Sequence, residues 1–247
     1  MLQPLLSTFT SFYNFQFNFH FNFHFNFHFN FIILTLLFTS YRLINIKQVP
    51  TASNMTILYI HGYGSNGNAT KGQLLRKMYP NCKVVSPTFD YDHSTPWQIQ
   101  KQIRETIEKE NVELIVGSSF GGYHTLCATS FFHGVVWAIN PVHDVVKTIQ
   151  RVITGTSPAK QNKTGEVLDG LLDYYNDFNE KVFLHQSELN QHGEWPQETV
   201  LNFALSTDDE LLGDHRPLLE MFPLHNKVIW KDQSGHRFFR FEELEIL

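Results

Sequence analysis

The chain has 247 residues, with 24 acidic against 19 basic side chains and a net charge of −5 at neutral pH. With no basic run, that balance argues against a nucleic-acid partner. Two cysteines, Cys82 and Cys127, are too few for a disulfide framework and lack metal-ligand spacing, so the expectation is a protein of the reducing cytoplasm with no metal centre.

Residues 15–31 read FQFNFHFNFHFNFHFNF, a perfect low-complexity repeat. As a strand it is too long, and as a helix it would place Asn and His on every side. The apolar run Phe31 to Phe38 is well short of the roughly 20 residues a spanning helix needs. The first basic residue, Arg42, comes after this run, the reverse of a signal peptide, so no membrane association is expected. Residues 1–54 therefore read as a low-complexity tail, either disordered or an upstream stretch translated in error, with Met55 as the expected start of the folded protein.

From Met55 onward, short apolar runs alternate with helical patterns. TILYIHG (56–62) predicts a buried strand and a glycine-rich turn, ATKGQLLRKMY a helix, and KVVSPTFD (83–90) a second strand. TPWQIQKQIRETIEKE predicts a helix capped by Thr95, with Pro96 in the first turn and Gln98 completing a capping box. Ile99, Ile103 and Ile107 form its apolar stripe. VELIVG (112–117), VVWAINP (135–141), TVLNFALS (199–206) and KVIW (227–230) predict four more strands, and FGGYHTLCATSFF the helix after the third. Apolar strands alternating with helices indicate an α/β fold, a mostly parallel sheet of about six strands with helices on both faces, over residues 55–247. Residues 142–198 are too long for a simple crossover and read as a helical excursion over one end of the sheet, either a lid or plain helical packing.

The stretch IVGSSFGGYHT (115–125) sets the chemistry. Strand, Gly-Ser-Ser-Phe-Gly, helix is the context of the G-x-S-x-G nucleophile elbow, where the positions two before and two after the serine must be small. Ser119 has Gly117 and Gly121 there, whereas Ser118 has Val116 and Phe120, so Ser119 is the candidate nucleophile. A serine hydroxyl needs a histidine to take its proton and a carboxylate to orient that histidine, in the chain order Ser, acid, His for this fold. STDDELLGD supplies Asp208, Asp209, Glu210 and Asp214 after the fifth strand. Of the histidines beyond that loop, His215 is one residue past Asp214, His225 lies ahead of the sixth strand, and only His236, in KDQSGHRF, lies beyond it. His124, His133 and His143 read as packing or surface residues. The expected oxyanion donors are the backbone N–H groups of Phe120 and of Tyr63, the latter in the HGYGSNG loop.

That loop also spells G-x-G-x-x-G through Gly62, Gly64 and Gly67, with Asp90 and Asp92 near the second strand as candidate ribose ligands, a dinucleotide-binding alternative. It leaves the elbow and the two late loops unexplained.

Taken in order, ILYIHGYGSN, GSSFGGYHT, INPV, TDDELL and GHRF resemble the YqiA/YcfP-like family of small bacterial α/β-hydrolase-fold esterases, from about Met55 to the C-terminus. The resemblance implies an α/β-hydrolase fold and a Ser-Asp-His triad acting on carboxylic esters of short acyl chains. It maps the nucleophile to Ser119, the base to His236 and the acid to Asp209. Asp208 stands where a neutral residue is usual, and two adjacent carboxylates should raise the pKa of one of them. The expected partner is a small ester, with no metal or organic cofactor. A thioesterase or peptidase using the same triad, and a non-catalytic binding protein of the same fold, are the alternatives.

Overall fold

The computed structural model describes residues 54–157, 167–196 and 198–247. The tail reading therefore lies, apart from Asn54 and Met55, outside the described residues. Six strands, β1 (Thr56–Ile60), β2 (Lys83–Val85), β3 (Leu114–Ser118), β4 (Val135–Ile139), β5 (Val200–Ser206) and β6 (Lys227–Lys231), form one sheet in the order β2-β1-β3-β4-β5-β6. Every pairing is parallel. Parallel neighbours need crossovers, and the helices that make them cover both faces of the sheet.

The strand residues show this two-sided burial one by one. All of β1 is buried. Leu58 and Ile60 point into one core with Ile115, Phe120 and Ile99, while Ile57 and Tyr59 point into a second with Leu114, Val116 and Leu75. Helices α2 (Pro96–Glu110), α3 (Phe120–Ala128), α4 (Val145–Ile153) and α5 (Leu171–Phe178) contribute Ile103, Leu126, Ile149 and Tyr175 to the first core. Helix α1 (Thr70–Met78) and the C-terminal segment with Phe241 and Leu244 close the second. α3 is buried along its whole length, as befits a central helix.

α2 carries the cap its sequence promises: the Thr95 hydroxyl accepts from the Gln98 N–H at 3.3 Å, and Gln98 Oε1 accepts from the Thr95 N–H at 2.7 Å. β2 is shorter than KVVSPTFD suggests. Pro87 has no N–H to give a ladder, and the Phe89 N–H is committed to His61 Nε2 at 2.9 Å instead. Among the described residues of 142–198, α4 and α5 are followed by a π-helical turn (Asn179–Leu184) and α6 (His185–Gln191). Helix α7 (Arg216–Met221) lies beyond that stretch, after β5. No helix among the described residues is long and apolar enough to cross a membrane.

The strand order reverses direction after β1: the chain steps outward to β2, then returns to β3 on the other side. Open parallel sheets bind ligands in the crevice at the carboxyl ends of strands where this reversal occurs. Here those ends are Ile60 and Ser118, level with Ile139 on β4.

Candidate active site

Ser119 follows the last residue of β3 and precedes the first of α3, with φ 58° and ψ −119°. This strained conformation lifts its side chain off the strand end. It persists because the surroundings hold it: the Ser119 N–H donates to the Ile139 carbonyl at 2.9 Å, and its own carbonyl accepts from Tyr123 and Val142. The two flanking glycines are small for packing reasons. A Cβ on Gly117 would lie 2.0 Å from Thr125 Oγ1, and one on Gly121 would lie 2.2 Å from the Ile60 carbonyl oxygen. Ser118 stays buried on the strand, on the same face of the sheet as Tyr59.

Ser119 Oγ and His236 Nε2 are 2.8 Å apart, and His236 Nδ1 lies 3.0 Å from each oxygen of Asp209. The three residues come from the ends of β3, β5 and β6, separated by up to 117 positions in sequence. The turn that carries His236 is tied on every side. Asn140 Nδ2 donates to the carbonyls of Gly235 and His236 at 3.0 and 3.1 Å, and Ser206 Oγ donates to the Gly235 carbonyl at 2.7 Å. The Ser234 and Gly235 amides donate to Asp208 Oδ1, and the His236 amide to Glu210.

These bonds separate the two adjacent acids. Asp208 faces outward and caps the histidine turn, while Asp209 is buried and faces the imidazole. The expected rise in a carboxyl pKa is not what Asp209 shows. Burial does push its carboxyl up, but hydrogen bonds from His215, His236 and the Leu212 amide more than offset that, and the group is held well below the usual carboxylate range. It is an anion at neutral pH, and Asp208 is turned away from it onto backbone amides.

Asn140, Ser206 and His215 have no role in the sequence-based expectations, and Asp208 and Glu210 figure there only as candidate acids. Asn140, Ser206, Asp208 and Glu210 pin the histidine turn. His215, set aside for its nearness to Asp214, is wholly buried and places Nε2 3.0 Å from Asp209 Oδ2. The contact depends on the path of the 209–215 turn, which spacing alone does not reveal.

The HGYG loop lies against Ser119. A Cβ on Gly62 would sit 3.2 Å from Ser119 Cβ and 3.6 Å from its Oγ. Buried His61 sets the loop's orientation: its Nε2 accepts the Phe89 N–H, so Nδ1 carries the proton and donates to the Gly62 carbonyl at 2.9 Å. The peptide is planar and trans, so fixing that carbonyl turns the Tyr63 N–H the opposite way. The Tyr63 ring packs edge-on to Phe120 at 5.8 Å and its hydroxyl donates to Asp92. Phe120 begins α3, where its N–H has no partner one turn back in the helix. The dinucleotide alternative loses its ligands here. Asp92 is buried and takes the Tyr63 hydroxyl, Asp90 takes the His93 ring, and Gly67 is small because a Cβ would meet the Ser86 carbonyl at 2.2 Å.

The fold is that of solved α/β-hydrolases. Est1E from Butyrivibrio proteoclasticus superimposes with a TM-score of 0.58 at 12% identity, covering 81% of this chain and 86% of its own. The monoacylglycerol lipase of Paleococcus ferrophilus gives 0.55 at 12%, covering 78% and 94%. Mouse alpha/beta hydrolase domain-containing protein 10 gives 0.57 at 18%, covering 77% and 86%. No curated protein matches the chain in sequence. A family model does match, over residues 56–245, which take in the elbow, the acid loop and the histidine turn. The chain belongs to the family described as Uncharacterised protein family (UPF0227), the YqiA/YcfP-like group that its ordered motifs resemble.

Proposed function

We propose that the protein is a serine hydrolase that cleaves carboxylic esters of short acyl chains through an acyl-enzyme, with Ser119 as nucleophile, His236 as base and Asp209 as acid. The observation that carries this reading is the 2.8 Å contact between Ser119 Oγ and His236 Nε2, backed by a carboxylate held as an anion. Because Asp209 accepts from His236 Nδ1, Nε2 carries the free lone pair and faces the serine hydroxyl. As Oγ attacks the ester carbonyl, its proton passes to Nε2 and negative charge gathers on the carbonyl oxygen. The N–H groups of Phe120 and Tyr63 are the proposed donors to that oxyanion, aided by the positive end of α3. Collapse expels the alcohol, which takes the proton back from His236. Water, deprotonated by His236, then releases the acid and restores Ser119.

The short-chain preference is what the resemblance to the small esterases implies. The names of two fold neighbours, a monoacylglycerol lipase and an esterase domain from Rhodothermus marinus, agree with ester chemistry. A cytoplasmic location is part of the proposal. The chemistry needs no metal or organic cofactor.

A fluorophosphonate probe tests the reading. It should label Ser119, and Ser119→Ala or His236→Ala should abolish labelling and lower kcat on p-nitrophenyl acetate by about 10⁴-fold or more. Labelling that survives Ser119→Ala rejects the assignment, and faster turnover of octanoate than of acetate rejects the chain-length preference.

A further inference from the structure

We propose that His215 is a positioning residue for this reaction, a second imidazole that donates to the Asp209 carboxylate alongside His236 and tunes how strongly the acid pulls on the base. The inference rests on the reading of Ser119, His236 and Asp209 given above.

His215 and the Asp209 carboxylate are both wholly buried, and His215 Nε2 lies 3.0 Å from Oδ2. A carboxylate only accepts, so Nε2 carries the hydrogen. The other ring nitrogen, Nδ1, is buried without a hydrogen-bond partner among the described residues. Its nearest ring is that of His143, edge-on with centroids 6.0 Å apart. A buried polar atom left unsatisfied is costly, and a residue kept here for packing alone would fill the space better as phenylalanine or leucine. What the histidine supplies, and those do not, is the Nε2–H.

With it, Asp209 receives four donors: the Leu211 and Leu212 amides at 3.0 and 2.8 Å on Oδ1, His215 on Oδ2, and His236 across both oxygens. Two consequences follow. The carboxylate plane is fixed from both sides, so the oxygens that orient His236 cannot rotate. Its charge is also shared among four groups, so less of it is directed at His236. The titratable groups around His215 are Asp208, Asp209, Glu210, Asp214 and Arg216 on its own segment, His143 from the segment after β4, and His236 beyond the carboxylate.

Removing the Nε2–H loosens the carboxylate and turns more of its charge onto His236. The first effect lowers kcat. The second makes His236 hold its proton to higher pH, and a protonated base cannot accept from Ser119, so the acid limb of kcat/KM moves upward. The full-length chain with His215→Phe, His215→Gln or His215→Asn, assayed on p-nitrophenyl acetate across pH, tests this. His215→Phe should lower kcat by about ten- to a hundredfold, the worth of one hydrogen bond to a charged group, with KM little changed and the acid limb raised. His215→Gln, whose amide reaches about as far as Nε2, should restore most of the rate, while His215→Asn, whose shorter amide falls near Nδ1, should not. A phenylalanine variant with the wild-type kcat and pH profile overturns the inference, as do glutamine and asparagine variants that behave alike. The last comparison decides the matter even if His215→Phe does not fold. Turnover that survives Ser119→Ala removes the hydrolase reading and this one together, whereas Ser119-dependent turnover indifferent to His215 removes this one alone.

Discussion

Ser119 is held at a backbone conformation most side chains avoid, and what allows it is the absence of atoms on its neighbours. Gly121 is the less forgiving of the two, because the nearest atom its Cβ would meet, at 2.2 Å, is a backbone oxygen at the end of β1, whereas for Gly117 it is a side-chain oxygen. Gly121→Ala must therefore push α3 away from β1 or bend the elbow. We expect it to cost about 1–3 kcal/mol of stability in urea unfolding and to abolish fluorophosphonate labelling at the same time. A variant that labels normally at wild-type stability would show that the close approach is unimportant. Which of Ser118 and Ser119 occupies the strained turn was legible from residue size alone, since that needs only a rule about neighbours. The separation of Asp208 from Asp209 was not. Adjacent acids differ only in which way each faces, and that is decided by amides of the 234–236 turn, contributed from 26 or 27 positions further along.

At the scale of elements, the helices and strands with a strong period were readable, and their ends were less so. α2 is the clearest case, because its cap, its Pro96 and its isoleucine stripe all specify the same start and the same buried face. Thr95→Ala removes the acceptor for the Gln98 N–H and should lower stability by about 1 kcal/mol in urea unfolding, leaving turnover on p-nitrophenyl acetate unchanged. A loss below about 0.3 kcal/mol would mean that water replaces the hydroxyl at no cost. β2 was overextended because the apolar, β-branched start of KVVSPTFD hides a change of partner: beyond Val85 the chain bonds to the loop after β1 rather than to a strand. The π-helical turn at Asn179–Leu184 has no local signature either, since its residues would suit an ordinary helix.

At the scale of the whole molecule, the helices after β4 are joined to the layer over the sheet through a buried polar chain. Gln100 on α2 donates to His124 Nδ1 at 3.1 Å, and His124 on α3 reaches the Tyr175 hydroxyl on α5 through Nε2 at 3.1 Å. The ring is wholly buried, stacked on Tyr91 at 5.5 Å, and burial pushes its pKa down from 6.5 to about 3. A histidine that must stay neutral when folded, yet takes up a proton when unfolded, makes stability depend on pH. Above the unfolded value of 6.5 its contribution is fully present; as pH falls below that value the unfolded chain gains a proton the folded chain refuses, and the loss continues down to about 3. At about 1.4 kcal/mol per pH unit, roughly 2–3 kcal/mol should disappear from this site between pH 7.5 and 4.5. The test is urea unfolding at both pH values for the wild type and His124→Gln, whose amide does not titrate. Other groups titrate equally in both proteins, so the difference between the two losses isolates His124. The variant should begin less stable at pH 7.5 and lose less on acidification, bringing the two proteins close together at pH 4.5. Parallel losses would show that the folded protein admits the proton, and that the junction of α2, α3 and α5 opens to water at mild acidity.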